Sequence, residues 1–277
     1  MSDKRVGLVV AHDTHCGGST GLLPPHGAKL DEGNVVLPNL FQEWAWERWE
    51  QAWLRAKQLT DDCTEVYVIL NGDLVDGDHH GTWEIISANP RVQARICQES
   101  LSPMRDLQPD KVFVVRGTSA HTGEQSTHEE EIAEKIGAEK DESGNHSRYK
   151  LYADILGHRI QAYHHGKLGA SPWTEQSALQ RLAWAIRAEH DRAGSKPPDI
   201  VFVAHRHKWG DSGQFCCPTR VLMAPGWQGA GQYVHKNVVG AGIVQVGMWV
   251  AVLEEEVEPV VVPITFKPMV PKVEKLV

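Results

Sequence analysis

The 277-residue chain has no run approaching the roughly 18 consecutive apolar residues that a membrane span requires, which sets a transmembrane protein aside. Five cysteines, an odd number with Cys216 and Cys217 adjacent, offer neither a disulfide framework nor a CxxC zinc site, so they read as reduced thiols. An excess of basic residues is missing too. The 28 Lys and Arg stand against 36 Asp and Glu, and the formal charge of -8 opposes broad electrostatic attachment to nucleic acid, so any phosphate recognition must be local. Met1 to Arg5 lead straight into a strand-like segment without the charged start, apolar stretch and small-residue cleavage site of a secretory signal, and cytoplasmic residence is the expectation. What remains, 41% hydrophobic and 23% charged residues, is ordinary for a folded chain. One domain over residues 1–277 is expected, with 254–277 and its four prolines as a C-terminal extension.

Four short apolar runs, Val6 to Ala11, Val66 to Leu70, Val112 to Val115 and Ile200 to Ala204, are rich in β-branched residues and lack the alternation of a half-solvated strand. They predict strands buried on both faces. Between them lie helical patterns. Asn39 to Leu59 places Phe41, Ala45, Trp49, Ala52, Trp53 and Ala56 on one face and Glu43, Glu47, Glu50 and Gln58 roughly opposite, with Trp44 off the stripe. Ser126 and Thr127 ahead of Glu129 and Glu130 resemble a capping box opening a helix to about Ile136, and Glu175 to Ala193 predicts another. Tyr149 to His164, with Leu156-Gly157 at its middle, reads as a hairpin. Arg220 to Ala224 and Ile243 to Leu253 read as strands, and the glycine-rich stretch from Gly226 to Gly242 as a loop.

Each of the four buried runs is followed at once by residues that bind metals or move protons: Asp13 and His15, then Asp73 and Asp76, then His121, then His205 and His207. Open α/β sheets place their sites at such strand ends, and ionisable groups gathered there need something to neutralise them. Mixed carboxylates and imidazoles suit Mn, Fe, Zn or Ni better than a magnesium cage of oxygens. Two such ions can share one carboxylate and make a bridging water reactive, with Asp73 as the natural shared ligand.

The ordered set Asp13-x-His15, Gly72-Asp73-x-x-Asp76, His165-Gly166 and His205-x-His207 resembles the signature of the calcineurin-like metallophosphoesterases, over about 200 of the 277 residues. The opening Asp13-x-His15-x-Gly17-Gly18 and the Trp-rich first helix further resemble members carried by phages and prophages, which would place the chain in a host cytoplasm. The resemblance implies a four-layer α/β/β/α sandwich of two mixed sheets flanked by helices. It implies two divalent transition ions, one held by Asp13, His15 and His207, the other by His165 and His205, with Asp73 bridging and Asp76 orienting rather than ligating. One departure stands out. Where the family has Gly-Asn-His, with Asn as a ligand and His as the catalytic imidazole, this chain reads Gly117-Thr118-Ser119-Ala120-His121. His121 can restore one of those roles but not both through the same nitrogen, and the acid role is preferred.

Taken singly, these residues have plainer readings. Asp-x-His is usually a turn, Asp73 after Asn71-Gly72 is compatible with turn chemistry alone, and His79 and His80 read first as solvated loop residues, with His80 second as a phosphate contact. Arg116 is an equal choice between phosphate contact and rim charge. His164 and His165 point to opposite faces of one strand, and the family pattern selects His165. The four tryptophans of the first helix are expected in the core rather than on a base-stacking surface. The expected activity is hydrolysis of a phosphodiester or phosphomonoester, nucleotides and nucleic acid included, by a hydroxide bridging the metals, with His121 protonating the leaving oxygen. A catalytically inactive scaffold docking partners through a patch that includes Trp44 is the alternative, and a mononuclear hydrolase ranks last.

Overall fold

Alternate side chains of the apolar runs enter two different cores, which is why those runs carry no polar face. The computed structural model describes residues 4–77, 83–123, 127–167, 169, 174–215, 217–231, 235 and 243–270. In chain order the elements are β1 (Arg5–Ala11), β2 (Ala28–Lys29), β3 (Val35–Val36), α1 (Leu40–Leu59), β4 (Glu65–Asn71), α2 (Pro90–Ser100), α3 (Ser102–Arg105), β5 (Lys111–Val115), α4 (Ser119–Thr122) and α5 (Thr127–Lys135). They continue with β6 (Ser147–Arg148), β7 (Leu151–Ile155), β8 (His158–His165), α6 (Glu175–Arg192), β9 (Ile200–Ala204), β10 (Gly210–Asp211), β11 (Arg220–Met223), β12 (Gly247–Glu254) and β13 (Val257–Thr265).

Two mixed sheets hold these strands, one ordered β13-β12-β1-β4-β5-β6 and the other β10-β11-β9-β8-β7. In the first, β1, β4, β5 and β6 run parallel while β12 and β13 are antiparallel; in the second, β8, β9 and β11 are parallel neighbours. Val6, Leu8 and Val10 of β1, Tyr67 and Ile69 of β4, Trp249 and Ala251 of β12, and Ile160, Phe202 and Leu222 from the second sheet fill one core between the sheets. The intervening residues Val9, Val68, Leu70 and Val250 face a second core with α1 and α2, and Val201, Val203 and Val221 face a third with α6. Period-two strands with both faces covered therefore give four layers, helix, sheet, sheet, helix, as the resemblance implies.

Helix α1 begins where Asn39 caps it: the Asn39 side chain accepts from Gln42 N at 3.0 Å and Gln42 returns a bond to Asn39 N. Ala45, Trp46, Trp49, Ala52, Trp53 and Ala56 are buried, while Trp44 is half-buried against the same core with the Arg48 guanidinium over its ring. The β7–β8 hairpin turns on Leu156 and Gly157, both at positive φ, as a two-residue turn matching strand twist demands. Helix α2 is absent from the sequence expectations. Its signal is Asn89, whose side chain accepts from Arg91 N, followed by Pro90 at the first helical position. The expected helix near Ser126 runs from Thr127 to Lys135; Ser126 itself, Cys216 and most of 226–242 lie outside the described residues.

Candidate metal centre

The carboxyl ends of β1, β4 and β5 in one sheet and of β8 and β9 in the other meet at one edge of the sandwich. There the segment after β1 and the segment after β4 are laced together: Asp13 N donates to Gly72 O at 2.9 Å, His15 N to Asp73 O at 3.0 Å and Asp76 N to Cys16 O at 3.0 Å. Trp227 N donates to Asp13 O at 2.8 Å, so a fully buried tryptophan of the helix-side core fixes the same turn. Of the eight described non-glycine residues at positive φ, five are Asp13, His15, Asp73, His205 and His207. Left-handed backbone is disfavoured for such residues and persists where surrounding structure imposes it, commonly at functional sites. Gly117 has no side chain because none fits: a Cβ there would lie 2.2 Å from Asp73 N and Oδ1.

Three groups of donors result, each with its ligand atoms within 4.8 Å of one another: Asp13, His15 and His207; Asp73, His164 and His205; and His15, Asp76 and His121. Asp13 Oδ1 is the hub of the first, 3.3 Å from His207 Nε2, 3.7 Å from His164 Nε2 and 3.8 Å from His15 Nε2. Asp73 Oδ2 lies 2.8 Å from His164 Nε2 and 3.9 Å from His121 Nε2. The outer atoms are held. Asp13 Oδ2 is 2.5 Å from His12 Nδ1 and accepts from His205 N at 3.1 Å, and His15 Nδ1 is 3.0 Å from Asp76 Oδ1, which also accepts from Gln228 Nε2 at 3.0 Å. A carboxylate on one imidazole nitrogen turns the other toward a metal.

The inner atoms behave differently. Among the described residues, Asp13 Oδ1 and His15 Nε2 are buried without a hydrogen bond, and the buried His164 Nε2 is in an ion pair with Asp73 Oδ2 at 2.8 Å. Buried polar atoms are almost always paired, and converging unpaired oxygen and imidazole nitrogen atoms are the donor chemistry of a divalent transition ion. The residues present therefore fit metal ions.

Protonation follows the same geometry. Burial by itself disfavours the Asp13 carboxylate, but His207, His164 and His12 outweigh it and hold the group well below the usual range. Burial disfavours charge on His15 as well, yet Asp13 and Asp76 push it up to about 10. His164 rises to about 9 because Asp73 and Asp13 overcome its burial. His205 moves the other way, to about 4, through burial and the neighbouring His164 charge.

The expected residues are thus placed as follows. Asp13, His15, Asp73, His205 and His207 come together, Asp76 supports His15, and His121 joins from α4, its Nδ1 2.6 Å from Asp76 O. His165 does not join a donor group. It is exposed and stacks on His205 at 5.2 Å, while its neighbour His164 is buried between Asp13 and Asp73. The inner face of β8 runs Ile160, Ala162, His164, so strand alternation carried from the core selects His164, against the family pattern that selects His165. Arg116 is taken up by Ser147 Oγ at 2.8 Å, Glu130 and the Tyr149 ring. His79 and His80 lie outside the described residues. Thr118, at the departure from Gly-Asn-His, donates its N–H to Asp73 Oδ1 at 2.6 Å, and its hydroxyl is 3.2 Å from Asp73 Oδ2 and 3.3 Å from His205 Nδ1. His12 and Gln228 also belong to the site; a polar residue abutting Asp13 was the available signal for the first, and none pointed to the second.

The chain matches no protein-family model and no curated protein sequence. Among solved structures it is similar to a single mutant of Vps29 from Entamoeba histolytica, at 12% identity and a TM-score of 0.40 over 94% of this chain and 99% of that one. It is also similar to an archaeal phosphodiesterase, at 12% identity and a TM-score of 0.41 over 93% and 99% of the two chains. The NAD nucleotidase of Haemophilus influenzae aligns at 12% identity and a TM-score of 0.41 over 98% of this chain and 53% of its own. At such identities and scores the likeness carries no argument about activity, which has to come from the donor atoms themselves.

Proposed function

We propose that the protein is a metal-dependent phosphoesterase of the calcineurin-like kind, hydrolysing a phosphodiester or phosphomonoester. The observation that carries this reading is the convergence of buried ligand atoms from Asp13, His15 and His164 with Asp73, His205 and His207, five of these six on left-handed backbone. One ion would be held by Asp13, His15 and His207 and the other by Asp73, His164 and His205. Two divalent ions of the Mn, Fe, Zn or Ni type, when bound, supply Lewis acidity and a water acidic enough to attack phosphorus at neutral pH.

The chain's own residues do the rest. Asp76 holds His15 through Nδ1 so that Nε2 faces Asp13. His121 Nδ1 donates to Asp76 O, which leaves Nε2, 3.9 Å from Asp73, as the nitrogen that gives a proton to the leaving oxygen. Thr118 supplies Asp73 with an N–H and a hydroxyl where an asparagine amide would otherwise reach inward. Both sheets contribute donors, which supports a single functional unit over the whole chain. A charge of -8 favours small phosphate esters over long nucleic acid.

The test is turnover of bis(4-nitrophenyl) phosphate and 4-nitrophenyl phosphate after metal removal and restoration with Mn, Zn, Fe or Ni. Metal-restored hydrolysis that fails in Asp73→Asn supports the reading; no turnover above buffer with any of these ions overturns it. Trp44, packed half-buried under Arg48, gives no particular support to a docking role.

A further inference from the structure

Glu129 is fully buried, yet it belongs to none of the three donor groups. It sits in the first turn of α5, within a run of three glutamates whose other members face outward: Glu130 accepts from His146 N and Ser147 N, and Glu131 pairs with Lys135. Among the described residues, the Glu129 oxygens are met by backbone amides. Oε2 accepts from Gly117 N at 2.6 Å and Oε1 from Leu74 N at 3.2 Å. Those amides flank Asp73 from two sides, Leu74 being the next residue in the chain and Gly117 preceding Thr118, whose N–H holds Asp73 Oδ1.

A carboxylate taken out of water between two amides, near a second carboxylate, is costly, and burial together with Asp73 pushes Glu129 up to about 7. An apolar side chain would fill the same space without that cost but would leave two buried N–H groups without acceptors. We propose that Glu129 is a positioning residue that clamps the β4 and β5 loops together and so holds Asp73 in its ion-binding orientation. Its effect on metal rests on the hydrolase reading above; the clamp itself does not.

Two measurements separate these parts. In the metal-free protein, amide hydrogen exchange across 72–76 and 116–120 reads the clamp directly. Glu129→Ala is expected to speed exchange in both segments about tenfold or more, and Glu129→Gln, which keeps the volume but only one carbonyl acceptor, in one of them. Glu131→Gln, on the exposed face of the same helix, should change neither. Mn titration then reads the consequence: the ion at Asp73, His164 and His205 should bind about 10–100-fold more weakly in both Glu129 variants, with the ion at Asp13, His15 and His207 little changed. Unaltered exchange in Glu129→Gln overturns the clamp, and equal weakening of both ions overturns its positioning of Asp73, marking a merely structural residue. If Glu129→Ala fails to fold, the Gln variant decides alone. A wild-type protein that takes up no Mn sinks the hydrolase reading while leaving the exchange result to judge Glu129.

Discussion

His164 is buried beside Asp13 and Asp73, and the adjacent His165 is exposed and stacked on His205. His164→Ala should therefore remove one of two bound ions by elemental analysis, whereas His165→Ala should retain both; the reverse result would mean that the end of β8 presents its other face. Asp73→Asn should cost more than the ~10–100-fold typical of residues that only support a ligand, seen as loss of turnover together with the second ion. Protons compete for the same atoms. With His15 raised to about 10 and His164 to about 9, both hold protons in the metal-free protein at neutral pH, and both must lose them to ligate. Metal affinity should accordingly climb as pH rises from 6 toward 9, and calorimetry in buffers of different ionisation enthalpy should register roughly two protons released at pH 7. Binding without proton release would show those imidazoles to be neutral or not ligands.

Among the elements, the strands were legible because two-sided burial writes uninterrupted apolar runs, and α1 because its tryptophans repeat at helical spacing. Helix α2 was not, since its buried face includes Gln93, whose amide nitrogen donates to Gly77 O and Ser87 O and whose oxygen accepts from Gly77 N. A polar residue serving a loop looks in sequence like a surface residue. The same reason hid Glu129 and Gln228: each meets backbone or side-chain groups far away in the chain, and no local period encodes that. Within α1, Trp49 is fully buried, donates Nε1–H to Ser100 O at 2.7 Å and packs edge-on against Trp53 and Trp227. Trp49→Ala should cost about 3–5 kcal/mol in denaturant unfolding, and because Trp227 also holds Asp13 O, it should weaken metal binding as well. Trp44→Ala, at a half-buried position, should cost far less. Equal costs would deny that the first helix is anchored through Trp49.

At the scale of the whole molecule, two of the three donor groups draw on both sheets. Asp13 and His15 follow β1 of the first sheet while His207 follows β9 of the second; Asp73 follows β4 of the first while His164 and His205 end β8 and follow β9 in the second. The core between the sheets is largely apolar, with Asn71 of β4 donating across it to Tyr163 O and Phe202 O, so bound ions would add a further polar cross-link at one edge, present in the folded chain and absent from an unfolded one in which these residues are far apart. An ion at a hundred times its Kd stabilises by about 2.7 kcal/mol. Spread over an unfolding entropy that scales with chain length, this raises Tm of a chain this size by roughly 4–5 °C for each ion. Chelation should lower the melting temperature by that amount per site, Mn or Zn should restore it, and Asp73→Asn should show only the part belonging to the remaining ion. A melting curve indifferent to chelator and added metal alike would mean that the two sheets hold together without any help from the donors between them.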